Sequence, residues 1–173
     1  MKIVCLALVS TIASLCLPAA AEPLAVTDVR AANNLILFDG AKVAPIFVET
    51  NASEAVRRAA GDLAEDFARV TGTKAEIEKQ ISSDAKIHII IGTLGRSKLV
   101  DQLSAQGKLD TNGISGQWES YILQVVTNTL PNIDRALVIA GSDRRGTIYG
   151  IYQLSQMIGV SPWHWWADVP APK

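Results

Sequence analysis

Residues 136–150 read Ala136-Leu137-Val138-Ile139-Ala140-Gly141-Ser142-Asp143-Arg144-Arg145-Gly146-Thr147-Ile148-Tyr149-Gly150, and the order of these residue types decides the fold class. A short apolar, β-prone run stops at Gly141, and Asp143 is a residue type that caps a helix start. Beyond it Ile148, Ile151, Tyr152, Ser155 and Ile158 fall on one side of a helix that Gly159 ends. A strand that turns straight into a helix is the building block of a layered α/β fold. Gly146 and Gly150, four residues apart, leave one helix face bare so that another backbone can approach it.

The same alternation continues upstream. Ile87-His88-Ile89-Ile90-Ile91 before Gly92 has the profile of a buried strand. Residues 35–38 and 45–48 predict two further short strands, and 121–126 and 136–140 two more, separated by a stretch at 128–134 that contains Pro131. Val56, Ala60, Leu63, Phe67 and Val70 make one apolar stripe at helical spacing. Asn51 with Glu54 predicts a capping box at its start, and Gly72 its stop. Arg57, Arg58, Asp62, Glu65 and Asp66 lie off the stripe and read as a solvated face rather than as acid–base machinery. Residues 94–103 predict a second helix closed by Gly107, and 110–116 a loop. The expected fold is α/β, layered, with a small mixed sheet and two or three helices, over residues 22–160.

The two ends read differently. Met1-Lys2, an apolar run over residues 3–17 and then Pro18-Ala19-Ala20-Ala21 predict a secretory signal peptide over 1–21, cleaved after Ala21. Its removal takes both Cys5 and Cys16, so the mature chain has no thiol for a disulfide or a cysteine-bound metal. It also takes Lys2, which makes the remainder one unit more negative than the −1 of the whole chain. Neither nucleic acid nor an anionic membrane is an expected partner. The expected location is periplasmic or secreted. No metal or cofactor motif is present.

Three segments carry candidate chemistry. At the helix start, Arg144 and Arg145 supply forked donors for a carboxylate or phosphate; the spacing fits neither dinucleotide-binding nor P-loop glycine patterns. The competing reading has Asp143 as a plain cap, with the arginines in solvent or paired with acids. Trp118 and Glu119, in a loop entering a strand, could stack on and hydrogen-bond to a sugar or could be ordinary strand-edge residues. At the C-terminal end, Trp163, Trp165 and Trp166 form an aromatic cluster that predicts a domain interface. His164 reads as part of that packing and His88 as a satisfied core residue.

The run GSDRRGTIYGIYQLSQMIGVSPWHWWADVP at 141–170 resembles the segment leading into the catalytic barrel of glycoside hydrolase family 115, the xylan α-glucuronidases. The GQWESY stretch at 116–121 and the ALVIAG strand are similar to that family's N-terminal accessory domain. A looser form of the helix start is similar to accessory domains of family 67 α-glucuronidases and family 20 hexosaminidases. The resemblance implies removal of (4-O-methyl)glucuronic acid from xylan by an inverting (β/α)-barrel that follows this domain. It also implies that the catalytic carboxylates lie beyond the WWADVP segment, so no catalytic residue is assigned among Glu119, Asp143 and Asp168. Residues 161–173 are then a tryptophan-rich linker into a barrel absent from this chain, which is expected to be inactive by itself. Trp118, Glu119, Arg144 and Arg145 are expected on the rim of the pocket for the glucuronosyl substrate. The other reading is a freestanding exported carbohydrate-binding or scaffold module whose tryptophans form its contact surface.

Overall fold

A computed structural model describes residues 24–27, 33–167 and 170–171, without the side chains of Trp165 and Trp166. The expected signal peptide at 1–21 and Asp168 lie outside the described residues, as do the indoles of the expected interface other than that of Trp163. The elements run β1 (Ile46–Val48), α1 (Glu54–Thr71), β2 (Ile77–Glu78), β3 (Ile87–Thr93), α2 (Lys98–Ala105), β4 (Tyr121–Leu130), β5 (Ile133–Gly141), α3 (Arg144–Met157) and a single-turn α4 (His164–Ala167).

The strands form one sheet in the order β2-β1-β3-β5-β4. All neighbours are parallel except β4 and β5, which form an antiparallel hairpin. The mixed sheet and layered α/β architecture expected from the sequence are therefore present. Alternation along β3 explains the layers. Ile89 and Ile91 face α1 and α3 together with Ile46, Val48, Leu137 and Ile139, against Leu63, Phe67, Ile151 and Leu154. Ile90 faces the other side with Phe47, Ala136 and Val138, against Val100, Leu103, Leu109 and Ile114. With both faces covered, the middles of the inner strands are apolar, which is why Ile89–Ile91 and Ala136–Ala140 read as unbroken runs.

Several boundaries differ from the sequence expectation. The N-cap of α1 is Ser53, whose Oγ accepts from Val56 N at 3.3 Å; Asn51 instead donates through Nδ2 to Arg96 O at 3.2 Å, so the expected capping box does not form. Gly72 ends α1 in the left-handed conformation at φ 79, as its position predicted. Residues 35–38 form no strand. Asp39 Oδ1 accepts from Ala41 N and Lys42 N, turning the chain back so that Phe38 and Val43 make only an isolated bridge. The second helix starts later than expected, at Lys98, because Ser97 caps it. The stretch at 128–134 is not a connecting loop. β4 continues to Leu130 and β5 starts at Ile133, with Asn128 at φ 49 within an irregularity that shifts the register between Thr127 and Leu130. β2 has too few residues to show any pattern in sequence.

Gly146 permits a close approach between α3 and the backbone before β4. A Cβ there would lie 2.2 Å from the Ser120 carbonyl oxygen, so the first turn of α3 packs directly on the backbone entering β4. At Gly150 a Cβ would lie 2.7 Å from Ile139 Cγ2. The bare face expected from these two glycines is thus covered within the domain, by β4 and β5.

His88 is fully buried and only half satisfied. Nε2 lies 3.2 Å from Glu78 Oε2 on β2, while Nδ1 has no partner. Burial holds its pKa below the usual histidine value, against the opposing pull of Glu78. A neutral ring donating from Nε2 leaves only a lone pair unmet at Nδ1, a smaller penalty than an orphaned N–H.

Candidate functional site

The chain leaves β1 toward β2 on one side of the sheet, whereas the route out of β3 runs through α2 to β4 on the other side. The gap between the carboxyl ends of β1 and β3 is therefore a topological switch point, where open α/β sheets form their binding crevices. A cleft of about 570 Å³ opens there. The segments after β1, β3 and β5 line it, with the loop entering β4 on its rim.

Each wall is fixed by short polar contacts. Glu49, just past β1, accepts from Ser97 Oγ at 3.0 Å and from Leu99 N at 2.9 Å, placing a carboxylate on the first turn of α2. Asn51 ties the segment after β1 to the segment after β3 through Arg96 O. Asp143 caps α3 by accepting from Gly146 N at 2.7 Å and reaches across to accept from Glu119 N at 2.9 Å. These two amides, the Gly146 amide foremost, hold its carboxyl below the usual aspartate range. Ser142 and Ser120 exchange three further bonds of 2.8–3.0 Å that join the end of β5 to the start of β4. Behind the cleft, buried Thr147 and Thr93 share a 2.6 Å hydroxyl contact that docks α3 on β3.

Trp118, Glu119, Arg144 and Arg145 all line this cleft. The sequence-stated candidates therefore meet, although they come from two segments some 25 positions apart. Their states differ. Arg145 is engaged: Nη1 pairs with Glu119 Oε1 at 2.7 Å, Nη2 donates to Tyr149 Oη at 2.9 Å, and the guanidinium lies 5.8 Å from the Tyr149 ring centroid. Tyr149, chiefly, and Glu119 together hold its proton more tightly than usual. The pairing-with-acids reading is thus correct for Arg145, and the capping reading is correct for Asp143. Arg144 is exposed and has no partner among the described residues. Trp118 is 87% exposed, yet its backbone is held by Ser120 Oγ, which donates to its carbonyl at 3.0 Å, and by the neighbouring Glu119 amide. Glu119 itself sits at φ 55, an uncommon conformation for a non-glycine residue and one concentrated at functional sites.

Glu49, Asn51 and Arg96 line the same cleft but were not singled out from sequence as site residues. The only sequence signal for them as site residues is position, since each lies within three residues of the end of β1 or β3. Trp163 is 65% exposed beside α4 and lies away from the cleft lining. Among the described residues no group of three or more His, Cys, Asp or Glu could hold a metal ion, and no helix is long and apolar enough to cross a membrane.

Residues 40–154 match the model of the family described as glycosyl hydrolase family 67 N-terminus. A solved structure described as a family GH115 4-O-methyl-alpha-glucuronidase with specificity for decorated arabinogalactans is similar at 33% identity and a TM-score of 0.60, covering 75% of this chain and 15% of that one. A second, CpGH84D, aligns at 16% identity and a TM-score of 0.48 over 66% of this chain and 17% of that one. The chain thus spans well under a fifth of either solved chain. No curated protein matches it. The family 115 resemblance read from 141–170 agrees with the first of these likenesses, and the looser family 67 resemblance with the family model.

Proposed function

The chain belongs to the glycosyl hydrolase family 67 N-terminus family, and we propose that it serves as the accessory domain of an exported α-glucuronidase that releases (4-O-methyl)glucuronic acid from plant polysaccharide. The observation that carries this reading is the cleft lining, which an exposed indole on a held backbone shares with a guanidinium that has no partner among the described residues. An indole face stacks on a sugar ring, and a guanidinium fork matches a carboxylate. A uronosyl group offers both. The polysaccharide itself is xylan by the family 115 resemblance, or a decorated arabinogalactan, the specificity of the similar solved enzyme. Both present the same terminal uronosyl group.

Catalysis belongs, in this reading, to a barrel that follows, approached through Trp163, Trp165 and Trp166. Inverting hydrolysis requires one carboxyl group held protonated and a second placed across a water. The carboxylates around the cleft are committed otherwise: Glu49 to the Ser97 hydroxyl and the Leu99 amide, Glu119 to Arg145, and Asp143 to two amides that favour its ionised form. The chain alone is therefore expected to release no uronic acid. The full-length gene product carrying it is expected to do so from glucuronoxylan or from glucuronosylated arabinogalactan. Release by the chain alone, or none by the full-length product on either polymer, contradicts the proposal.

The exposure of Trp118 also favours a second reading, a freestanding carbohydrate-binding module. Retention of the chain on insoluble xylan, with no hydrolase activity in the full-length product, would select it.

A further inference from the structure

We infer that the free edge of β4 is a self-association surface, on which a second copy of this chain pairs antiparallel with Tyr121–Thr127 and joins the two sheets into one across a twofold axis at Gln124.

β4 is a terminal strand of the sheet and is bonded only to β5. The direction of its backbone groups follows from its neighbours. Gly141 O accepts from Leu94 N at 2.9 Å and Arg135 N donates to Lys86 O at 3.3 Å, so the odd-numbered residues of β5 turn toward β3. Their even-numbered neighbours turn toward β4, where Ala136, Val138 and Ala140 stand opposite Val126, Gln124 and Ile122. Tyr121, Leu123, Val125 and Thr127 therefore point their N–H and C=O groups out of the sheet, along about 20 Å of strand. These groups have no hydrogen-bond partner among the described residues.

Exposed sheet edges are ordinarily blunted by brevity, charge, proline or a bulge. The opposite edge is blunted by brevity, because β2 spans only Ile77–Glu78. From Tyr121 to Thr127, β4 is long, uncharged and free of proline. Beyond Thr127 the edge closes: the register shifts, and Lys108 Nζ donates to Asn128 O at 2.6 Å.

The open stretch matches itself. Paired about Gln124, Tyr121 meets Thr127 of the second copy and Leu123 meets its Val125, so all four outward residues are used, in about eight hydrogen bonds. Ile122 comes opposite Val126 of the second copy. No charged side chain lies in the stretch, so the pairing sets none against its like. Leu123 and Val125 are only partly buried at the margin of the α1/α3 core, and Ile122 at the margin of the α2 core; another strand covers all three. The contact also closes on itself, because each copy has one long edge and leaves only the short β2 outward. An uncharged, self-matching edge favours a second copy over an unrelated strand.

The test is sedimentation equilibrium of the 173-residue chain from about 1 to 500 µM, with amide hydrogen exchange at both ends of that range. The mass should rise to twice that of one chain with a Kd on the order of 10 µM. Protection should rise with concentration at Tyr121, Leu123, Val125 and Thr127 and stay level at Ile122, Gln124 and Val126. Val125→Pro removes one outward donor, a change that an edge strand tolerates, and should weaken the dimer by at least about tenfold. Thr127→Lys, at an exposed position, should weaken it while the fold is kept. In a Cys5→Ser/Cys16→Ser background, Gln124→Cys should give a disulfide-linked dimer on mild oxidation and Thr127→Cys should not, since only position 124 meets itself. A single-chain mass throughout the range overturns the inference. So does a dimer that gains protection elsewhere, or one that keeps its affinity in folded Val125→Pro and Thr127→Lys variants. A full-length gene product that stays monomeric, with the same four amides protected at every concentration, assigns the edge to another strand of that product and equally overturns it.

Discussion

The backbone amide of Glu119 donates a 2.9 Å hydrogen bond to Asp143 Oδ2, so the carboxylate that caps α3 also holds the loop presenting Trp118. One side chain thereby couples a helix start to the rim of the cleft. The coupling is short-range and polar, and it keeps Glu119 in its left-handed conformation against the intrinsic preference of the chain.

Replacing Asp143 by alanine should cost about 2–3 kcal/mol, the loss of an N-cap together with an orphaned amide at Glu119. A lower urea midpoint at unchanged m reads it out. Because the folded-state pKa of Asp143 is depressed, its contribution is present above the ordinary aspartate pKa and is lost as pH falls through the folded value. Asp143→Asn should therefore flatten the acid limb of the stability curve.

Gly146→Ala and Gly61→Ala should move stability in opposite directions, although both put a methyl group on a helix. At Gly146 the new carbon meets a backbone carbonyl oxygen at 2.2 Å, and a loss of about 3 kcal/mol or more is expected. At Gly61, within α1, nothing lies within 4 Å of the added carbon, so the ordinary helix gain of about 0.5–1 kcal/mol is expected. Thermal midpoints of the two variants give the comparison.

His88 sets a pH dependence on the neutral side. Burial lowers its folded pKa, so the unfolded chain binds the extra proton first as pH falls below about 6.5. Its contribution is complete above that value and declines as pH drops toward the folded pKa. The urea midpoint should be lower at pH 5.5 than at pH 7.5, and His88→Gln should reduce the difference. An equal difference in that variant would assign the effect elsewhere.

The Arg145–Glu119 pair should contribute little to stability despite its 2.7 Å separation, because the arginine side chain is 60% exposed. Arg145→Ala is expected to leave stability almost unchanged, and the small effect should shrink further in high salt. Comparing urea midpoints at low and high ionic strength checks both statements.

Much of this architecture was legible because local pattern and burial agree in it. The α1 stripe from Val56 to Phe67, the αL stop at Gly72 and the runs on β3 and β5 each satisfy one face or both faces of a packed layer. The failures have a common cause in partners that sequence order hides. Leu35-Ile36-Leu37-Phe38 has strand composition, but Asp39 folds it back before a ladder can form. Pro131 suggested a long connection, yet it sits in the tight turn between β4 and β5. Ser53 rather than Asn51 caps α1, because Asn51 is drawn to Arg96 O, 45 positions away. At the cleft, residue type revealed Trp118, Glu119, Arg144 and Arg145. Glu49, Asn51 and Arg96 were hidden because the parallel order of β1 and β3, rather than any spacing, brings them together.

The most direct test of the central claim is kcat/KM for release of 4-O-methylglucuronic acid by the full-length gene product, with and without Arg144→Ala. If the cleft holds the uronate carboxylate, Arg144→Ala should lower kcat/KM by about tenfold or more while leaving the urea midpoint of the domain unchanged. An unaltered kcat/KM in a folded variant would contradict it.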